Sequence, residues 1–294
     1  MDALNLICNL RGVGWNWSSS KGRLYVPTET RPRHSRLKYL LSTLLSAFFS
    51  AIILDVFRVC VQSFSPTKFC SPHGDDNTIF DHTLPPIQKY LRSSLITLLS
   101  GLTMQYSIQF GYDLMTLTGV GVLGNEPWEW PPLFDCPVKA TSLAEFWGRR
   151  WHQLFRDLFV SFLPSGKKLK EKREKEVKRS ETGRATSILT AFFLSTLLHV
   201  AGLWGMGRGM GFWSVTTFFL MNGLGVILEK TWTRVTGHKV GGALGWVWTL
   251  VWLVGWGNLL VDVWTRTGVI ASFSHPDGKR PMDLLLPFIS KIAA

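Results

Sequence analysis

The chain has 294 residues, of which 46% are hydrophobic and only 18% are charged, and it contains 14 tryptophans and 19 phenylalanines. Soluble domains carry about 25% charged residues, so the composition excludes an ordinary cytosolic globule. A disordered chain is excluded as well, because disorder requires low hydrophobicity together with high net charge. The 4 cysteines are too widely spaced for a zinc ribbon or a disulfide-stapled mini-domain.

The net charge of +12 is concentrated in two short segments. Residues 21–38 carry six basic residues and one acid, and residues 167–184 carry nine basic residues and four acids. A nucleic-acid-binding protein spreads basic residues over a folded face with stacking aromatic residues between them, whereas the aromatic residues here lie in uncharged stretches. We therefore expect no nucleic-acid partner. We interpret both segments as loops beside a membrane, the second forming a charged cytosolic loop over residues 165–184.

Long uncharged runs account for much of the remaining sequence. They cover residues 39–54, 93–112, 185–207, 209–228 and 240–261. A bilayer core takes about 20 helical residues, and a helix satisfies its own backbone polar groups in lipid. The sequence therefore predicts an all-α fold, a multi-pass transmembrane helical bundle of five to six spans. We expect it to form one membrane-embedded domain over residues 1–294, with the lipid bilayer as a partner.

The basic segments predict the orientation of the spans. With residues 21–38 in the cytosol, residues 58–90 are lumenal after the first span, and the second span returns the chain to the cytosol. The basic run at 167–184 then lies on the same side as residues 21–38. This arrangement satisfies the positive-inside rule without adjustment.

An apolar pattern with helical spacing lies between the second and third predicted spans. Apolar residues recur at spacings of three and four, at Phe146, Trp147, Trp151, Leu154, Phe155, Leu158, Phe159 and Phe162. Thr141 or Ser142 is a candidate helix start, with Glu145 placed for a capping box, and Pro164 ends the pattern. The sequence predicts an amphipathic helix over residues 142–163 that lies in the membrane interface.

Two histidines are candidate functional residues. His152 lies on the predicted amphipathic helix, and His199 lies inside the third predicted span, beyond its middle. An ionisable side chain at bilayer depth is costly, and it therefore marks a candidate functional site. The alternatives are a buried structural histidine at position 199 and an interfacial ring at position 152.

Three segments resemble the wax-synthase-like branch of the membrane-bound O-acyltransferases. Residues 11–17 (RGVGWNW) resemble its Arg-Gly-x-Gly-Trp element near the N-terminus. Residues 142–152 (SLAEFWGRRWH) match its Ser-Leu-x-x-Phe-Trp-Gly-Arg-Arg-Trp-(Asn/His) signature over eleven residues. The third is the span that ends in His199 and is followed by Gly202, which is similar to the helix of the catalytic histidine.

The resemblance implies a reaction and a set of site residues. The reaction is acyl transfer from an acyl-coenzyme A, as co-substrate, to a hydroxyl group, with no bound cofactor and no metal. His199 is then the general base, and His152 orients or polarises the thioester. The residues implied on the coenzyme A side are Arg149, Arg150 and Trp151. The alternative for the two arginines is contact with lipid headgroups.

The acceptor and the acyl chain are predicted only as classes. The form of the central motif is similar to fungal members that acetylate secondary metabolites, which favours acetyl-CoA and a hydrophobic alcohol such as a terpenoid. The resemblance implies a membrane of the endoplasmic reticulum. The alternatives are a long-chain wax-ester synthase, a catalytically inactive acyltransferase-like protein and a transporter. A group of His and Asp residues at 73–82 has the spacing of a plain loop, not of a metal site.

Overall fold

The computed structural model describes residues 35–65, 77–155, 181–207, 209 and 211–272. The α-helices are α1 (Arg36–Ser63), α2 (Pro86–Leu117), α3 (Leu143–Glu145), α4 (Glu181–Gly205), α5 (Phe212–Thr236), α6 (Gly242–Arg266) and α7 (Val269–Ser272). Short π-helical turns cover Thr118–Val122 and Phe146–Arg150, and 3-10 turns cover Pro127–Glu129 and Pro137–Lys139. Within these residues there is no strand, so the predicted all-α class is confirmed.

Four of the described helices are long and apolar enough to cross a membrane: α1, α4 from Gly183, α5 and α6. Helix α2 has 32 residues and is long enough, but Gln105, Ser107 and Gln109 make it more polar than the other four. Four of the five expected spans are therefore supported by length and composition. Large apolar side chains such as Phe48 and Phe49 are exposed on α1, as expected for a surface that faces lipid.

Several predicted boundaries can be compared with the structure. The first span, which we expect from the short uncharged run 39–54 to extend past Asp55, does so in α1, because the Asp55 carboxylate is buried and paired with Arg58 one turn later. The predicted lumenal loop of residues 58–90 is therefore wrong in its bounds, and the chain between α1 and α2 covers residues 64–85. Residues 11–17, 73–76 and 165–180 lie outside the described residues, together with the predictions made for them. The predicted cytosolic loop over residues 165–184 is wrong at its end, because α4 begins at Glu181.

The predicted amphipathic helix over residues 142–163 is wrong where the structure describes it. The helical conformation lasts only from Leu143 to Arg150, and residues 151–155 are not helical. The 3.6-residue apolar period failed because Phe146–Arg150 adopts a π-helical turn, in which the backbone bonds to the fifth residue back instead of the fourth. Residues 156–163 lie outside the described part of the chain.

Topology can be tested directly with sealed microsomes. We expect added protease to cut near Lys172 and to leave the 64–85 connection intact, because concentrated positive charge beside a span is retained in the cytosol. Immunoblotting of epitopes placed on either side of each loop measures the cuts, and detergent-permeabilised microsomes serve as the control in which both loops are cut. Protection of the basic segment 167–184 would contradict the orientation.

The chain divides into two compact units, and the expectation of a single domain over residues 1–294 stays a prediction. Unit 1 consists of Met1–Leu44, Tyr112–Ser195 and Phe219–Leu250. In it, the hydroxyl of Tyr39 donates to the Trp130 carbonyl (2.9 Å) and that of Tyr112 to the Pro131 carbonyl (2.7 Å). The indole of Trp130 packs where a Cβ at Gly119 would overlap it. These contacts fix the non-helical segment that leads to α3.

Unit 2 consists of Leu45–Gly111, Thr196–Phe218 and Val251–Ala294. Its apolar core contains Val61, Ile79, Ile96, Val261 and Ile270. The carboxylate of Asp262 accepts hydrogen bonds from Thr78 Oγ1 (2.5 Å) and from the Ile79 N–H (3.1 Å). That carboxylate therefore holds the loop before α2 against α6.

Candidate active site

The segment that carries the central motif begins at a capped helix start. Ser142 Oγ accepts the N–H of Glu145 (3.0 Å), as a capping box requires. The Glu145 carboxylate accepts a hydrogen bond from the N–H of Thr141 (2.8 Å), so the reciprocal bond of the capping box lies one residue before the N-cap Ser142. These two bonds define where α3 begins.

A π-helical turn follows α3 and brings distant rings of the motif together. The N–H of Trp151 donates to the carbonyl of Phe146 (2.8 Å), and the two rings stack with centroids 5.2 Å apart and an interplanar angle of 21°. The side-chain amide of Gln153 then donates to the carbonyls of Trp147 (3.1 Å) and Trp151 (2.8 Å). Residues 146–153 therefore hold a defined shape without further helix.

The side chain of Arg150 stabilises this segment through contacts with other residues. Its guanidinium pairs with the Glu145 carboxylate (2.8 Å) and donates to the carbonyl of Asp135 (2.9 Å). In return, the N–H of Asp135 donates to the Arg150 carbonyl (3.0 Å). The Arg150 side chain is only 13% exposed. These contacts occupy most of its donors and join the motif to the loop before Pro137.

Arg149 has a different environment, because its side chain is 61% exposed. It pairs with Asp135 (3.1 Å) and Glu145 (3.1 Å). The Asp135 side chain is itself 54% exposed, so water can replace this partner. Arg149 is therefore the arginine of the motif that can receive an anion from solution.

The Glu145 carboxylate serves both arginines and stays ionised. Its burial acts to raise the pKa, but the hydrogen bonds from the Thr141 backbone and from Arg150 outweigh burial and lower the pKa below the usual value. A lowered pKa means that Glu145 contributes stability at neutral pH, and that this stability is lost as the pH falls through the carboxyl range.

His152 and Trp151 lie among aromatic rings in unit 1. The imidazole of His152 contacts the rings of Phe134 (6.0 Å), Trp151 (5.6 Å) and Phe155 (6.3 Å) between centroids. Both residues are half-buried. This aromatic surround limits the rotation of the imidazole, as a residue that orients a substrate requires.

Two residues on α5 bind the motif and were not among the sequence candidates. Asn222, fully buried, accepts the indole N–H of Trp147 (3.1 Å). Glu229, 5% exposed, accepts the N–H groups of Leu143 (2.6 Å) and Ala144 (2.9 Å). Glu229 directly follows the uncharged run 209–228, so the sequence placed it in a loop after the span. In the structure, α5 continues to Thr236 and contains Glu229. A lone acid inside a span was the signal that could have found it.

His199 lies on α4 and belongs to unit 2, whereas Arg149, Arg150, Trp151 and His152 belong to unit 1. The structure thus groups four of the five predicted site residues. His199 is half-buried, beside the buried Thr196 and Val200 on the same helix. At 1.5 Å per residue it lies about 24 Å from Gly183 and about 9 Å from Gly205, in the second half of the span.

Gly245 on α6 allows that helix to pack on the start of the motif, which gives a testable prediction. A Cβ at Gly245 would overlap the carbonyl oxygen of Thr141, whereas a Cβ at Gly255 on the same helix meets nothing within 4 Å. We expect Gly245→Ala to lower the free energy of unfolding by about 1–3 kcal/mol, as overpacking does. Thermal unfolding in detergent measures the change, with Gly255→Ala as the control that is neutral or stabilising. Equal stability of the two variants would contradict the contact.

Comparison with known proteins gives one family and several relatives. Residues 130–221 match the Membrane bound O-acyl transferase family. Acetyltransferase ple2 of Rhodocybe pseudopiperita is 29% identical over 257 residues, covering 85% of this chain and 62% of the relative. Acetyltransferase ataH of Aspergillus terreus is 29% identical over 270 residues, covering 85% and 84%. Probable long-chain-alcohol O-fatty-acyltransferase 8 of Arabidopsis thaliana is 32% identical over 131 residues, covering 44% and 38%.

These matches confirm the resemblance to membrane-bound O-acyltransferases of the wax-synthase-like branch and, among them, to fungal acetyltransferases. The family match at 130–221 contains both the central motif and His199. The chain spans 62% of the length of the R. pseudopiperita relative.

Proposed function

We propose that this protein is a membrane O-acyltransferase that moves an acetyl group from acetyl-CoA to a hydroxyl of a hydrophobic acceptor. A terpenoid secondary metabolite is the acceptor class, and the endoplasmic reticulum membrane is the location. The proposal rests on the eleven-residue motif at 142–152. The motif begins at a capped helix start, continues into a π-helical turn, and lies within the stretch that matches the family. The names of the fungal relatives support the acetyl donor.

In the proposed reaction, His199 removes the proton of the acceptor hydroxyl. The hydroxyl oxygen attacks the thioester carbonyl, and the carbon–sulfur bond breaks to release the coenzyme A thiolate. That thiolate takes the proton from the imidazolium, so the products are the ester and free coenzyme A. No residue is acylated, and no bound cofactor is needed.

The remaining site residues act on the donor. His152, held among aromatic rings, orients the thioester, and Trp151 forms part of the same surface. Arg149 binds phosphate groups of coenzyme A, since its exposed guanidinium exchanges partners easily. Arg150 keeps the segment in place through Glu145 and the Asp135 carbonyl.

A second candidate is a long-chain wax-ester synthase. It is favoured by the similarity to the Arabidopsis thaliana protein, which is named a probable long-chain-alcohol O-fatty-acyltransferase. The two functions share the reaction and differ in the length of the acyl chain.

Membranes from cells that express the chain distinguish the candidates. Radiolabelled acetyl-CoA and palmitoyl-CoA are supplied separately with a panel of terpenoid and fatty alcohols, and the esters are separated by chromatography. We expect acetyl esters that depend on expression and are absent with His199→Ala. Palmitoyl esters of fatty alcohols would indicate the wax-ester function, and the absence of ester with either donor would contradict both.

A further inference from the structure

We propose that Glu229 is a positioning residue for the donor side of the active site. Its buried carboxylate sets where the segment 143–152 begins, and thereby fixes Arg149 and His152. This inference rests on the proposed function for its kinetic consequence but not for its structural one.

The Glu229 carboxylate joins three parts of unit 1. Its Oε1 accepts the N–H of Leu143 (2.6 Å) and the indole N–H of Trp248 on α6 (3.0 Å). Its Oε2 accepts the N–H of Ala144 (2.9 Å). Because Glu229 is only 5% exposed, water does not substitute readily for these donors, and each bond to the buried charge is strong.

The position of these bonds gives Glu229 its control over the motif. Leu143 and Ala144 are the first residues of α3, and the first N–H groups of a helix have no acceptor within the helix. Helix α3 has three residues and passes directly into the π-helical turn. Helices this short do not form on their own, so external acceptors decide where the segment starts. Residues 146–153 then follow by their own contacts.

Hydrogen–deuterium exchange tests the structural part on the full-length protein in detergent. In Glu229→Gln, we expect the peptide covering residues 141–152 to exchange on the order of tenfold faster, because the amide side chain cannot replace both oxygen acceptors. Peptides from α2 should not change. Lys230→Gln, an exposed charge change at the next position, is the matched control.

Trp248→Phe provides a milder variant that retains the ring and removes one donor. It should accelerate exchange of the same peptide by a smaller factor than Glu229→Gln, with folding intact. Exchange of 141–152 that is unchanged in both variants would overturn the proposal, whatever the activity.

Kinetics separate positioning from a loss of folded protein. We expect Glu229→Gln to raise the KM for the acyl donor at least threefold and to leave the KM for the alcohol unchanged. Combined with Arg149→Gln, it should raise the donor KM by less than the product of the single effects, since both act through one segment. A lower maximal rate with both KM values unchanged would indicate a purely structural residue and overturn the kinetic role. If the wild-type protein catalyses no acyl transfer, the proposed function is refuted. Hydrogen–deuterium exchange would still decide the structural role of Glu229.

Discussion

Replacing His199 with alanine should remove nearly all turnover while expression and membrane insertion stay near normal. The proposed reaction needs a base beside the acceptor hydroxyl, and general-base catalysis contributes about 10²–10⁴-fold. Alanine makes the span more apolar, so insertion is not impaired. Initial rates of ester formation in membranes, normalised to the amount of inserted protein, measure the effect.

Matched variants define the specificity of this effect. His82→Ala, an exposed histidine in the loop before α2, should have wild-type rates. His152→Asn should keep part of the activity because asparagine retains a hydrogen-bond donor, and His152→Ala should lose more. If His199→Ala retains more than about a tenth of wild-type turnover, the loss is smaller than the 10²–10⁴-fold contribution of a general base, and His199 is a structural histidine.

The second large effect separates the two arginines of the motif. Arg149→Gln should raise the apparent KM for acyl-CoA about tenfold, the loss expected for charge-assisted hydrogen bonds, and should spare the KM for the alcohol. Thermal stability should change little, because exposed ion pairs contribute little to it. Steady-state kinetics with each substrate varied in turn, together with thermal unfolding, measure both quantities.

Arg150→Gln should give the opposite pattern. Its guanidinium is mostly buried against Glu145 and the Asp135 carbonyl, so its loss leaves polar groups without partners and lowers the unfolding temperature. An unchanged donor KM for Arg149→Gln, with normal insertion, would return Arg149 to contact with lipid headgroups. A raised donor KM with an unchanged unfolding temperature in Arg150→Gln would contradict its structural role.

The long helices could be predicted from the sequence because uncharged runs of bilayer length have few other folds. The residues at which these helices begin and end could not be predicted. Helix α2 begins at Pro86, seven residues before the uncharged run, because Arg92 lies within the helix and donates to the carbonyls of Ile79 (3.2 Å) and Phe64 (2.9 Å). A charge with such tertiary partners does not interrupt a helix, and those partners are not visible in the sequence.

The candidate site was predictable as a motif but not as a conformation. The residue types of 142–152 indicated a candidate site, which stays a prediction. Their apolar period also fits a long helix, and no local signal marks the change to a π-helical turn at Phe146. The different environments of Arg149 and Arg150 depend on their contacts with Asp135, fourteen residues before Arg149. Both arginines contact Asp135, but Arg149 pairs with its carboxylate at the surface and Arg150 donates to its backbone carbonyl from a mostly buried position, a difference that the sequence does not show.

The exposed ion pair of Arg149 has a consequence for how a charged donor arrives. Asp135 and Glu145 already neutralise the guanidinium, so a coenzyme A phosphate that binds there replaces one anion with another. The net charge that the donor meets is therefore smaller than the arginines alone suggest, and donor binding should depend less steeply on ionic strength than a bare basic cluster would. Removing the Asp135 carboxylate should make the same site both tighter for phosphate and more sensitive to salt.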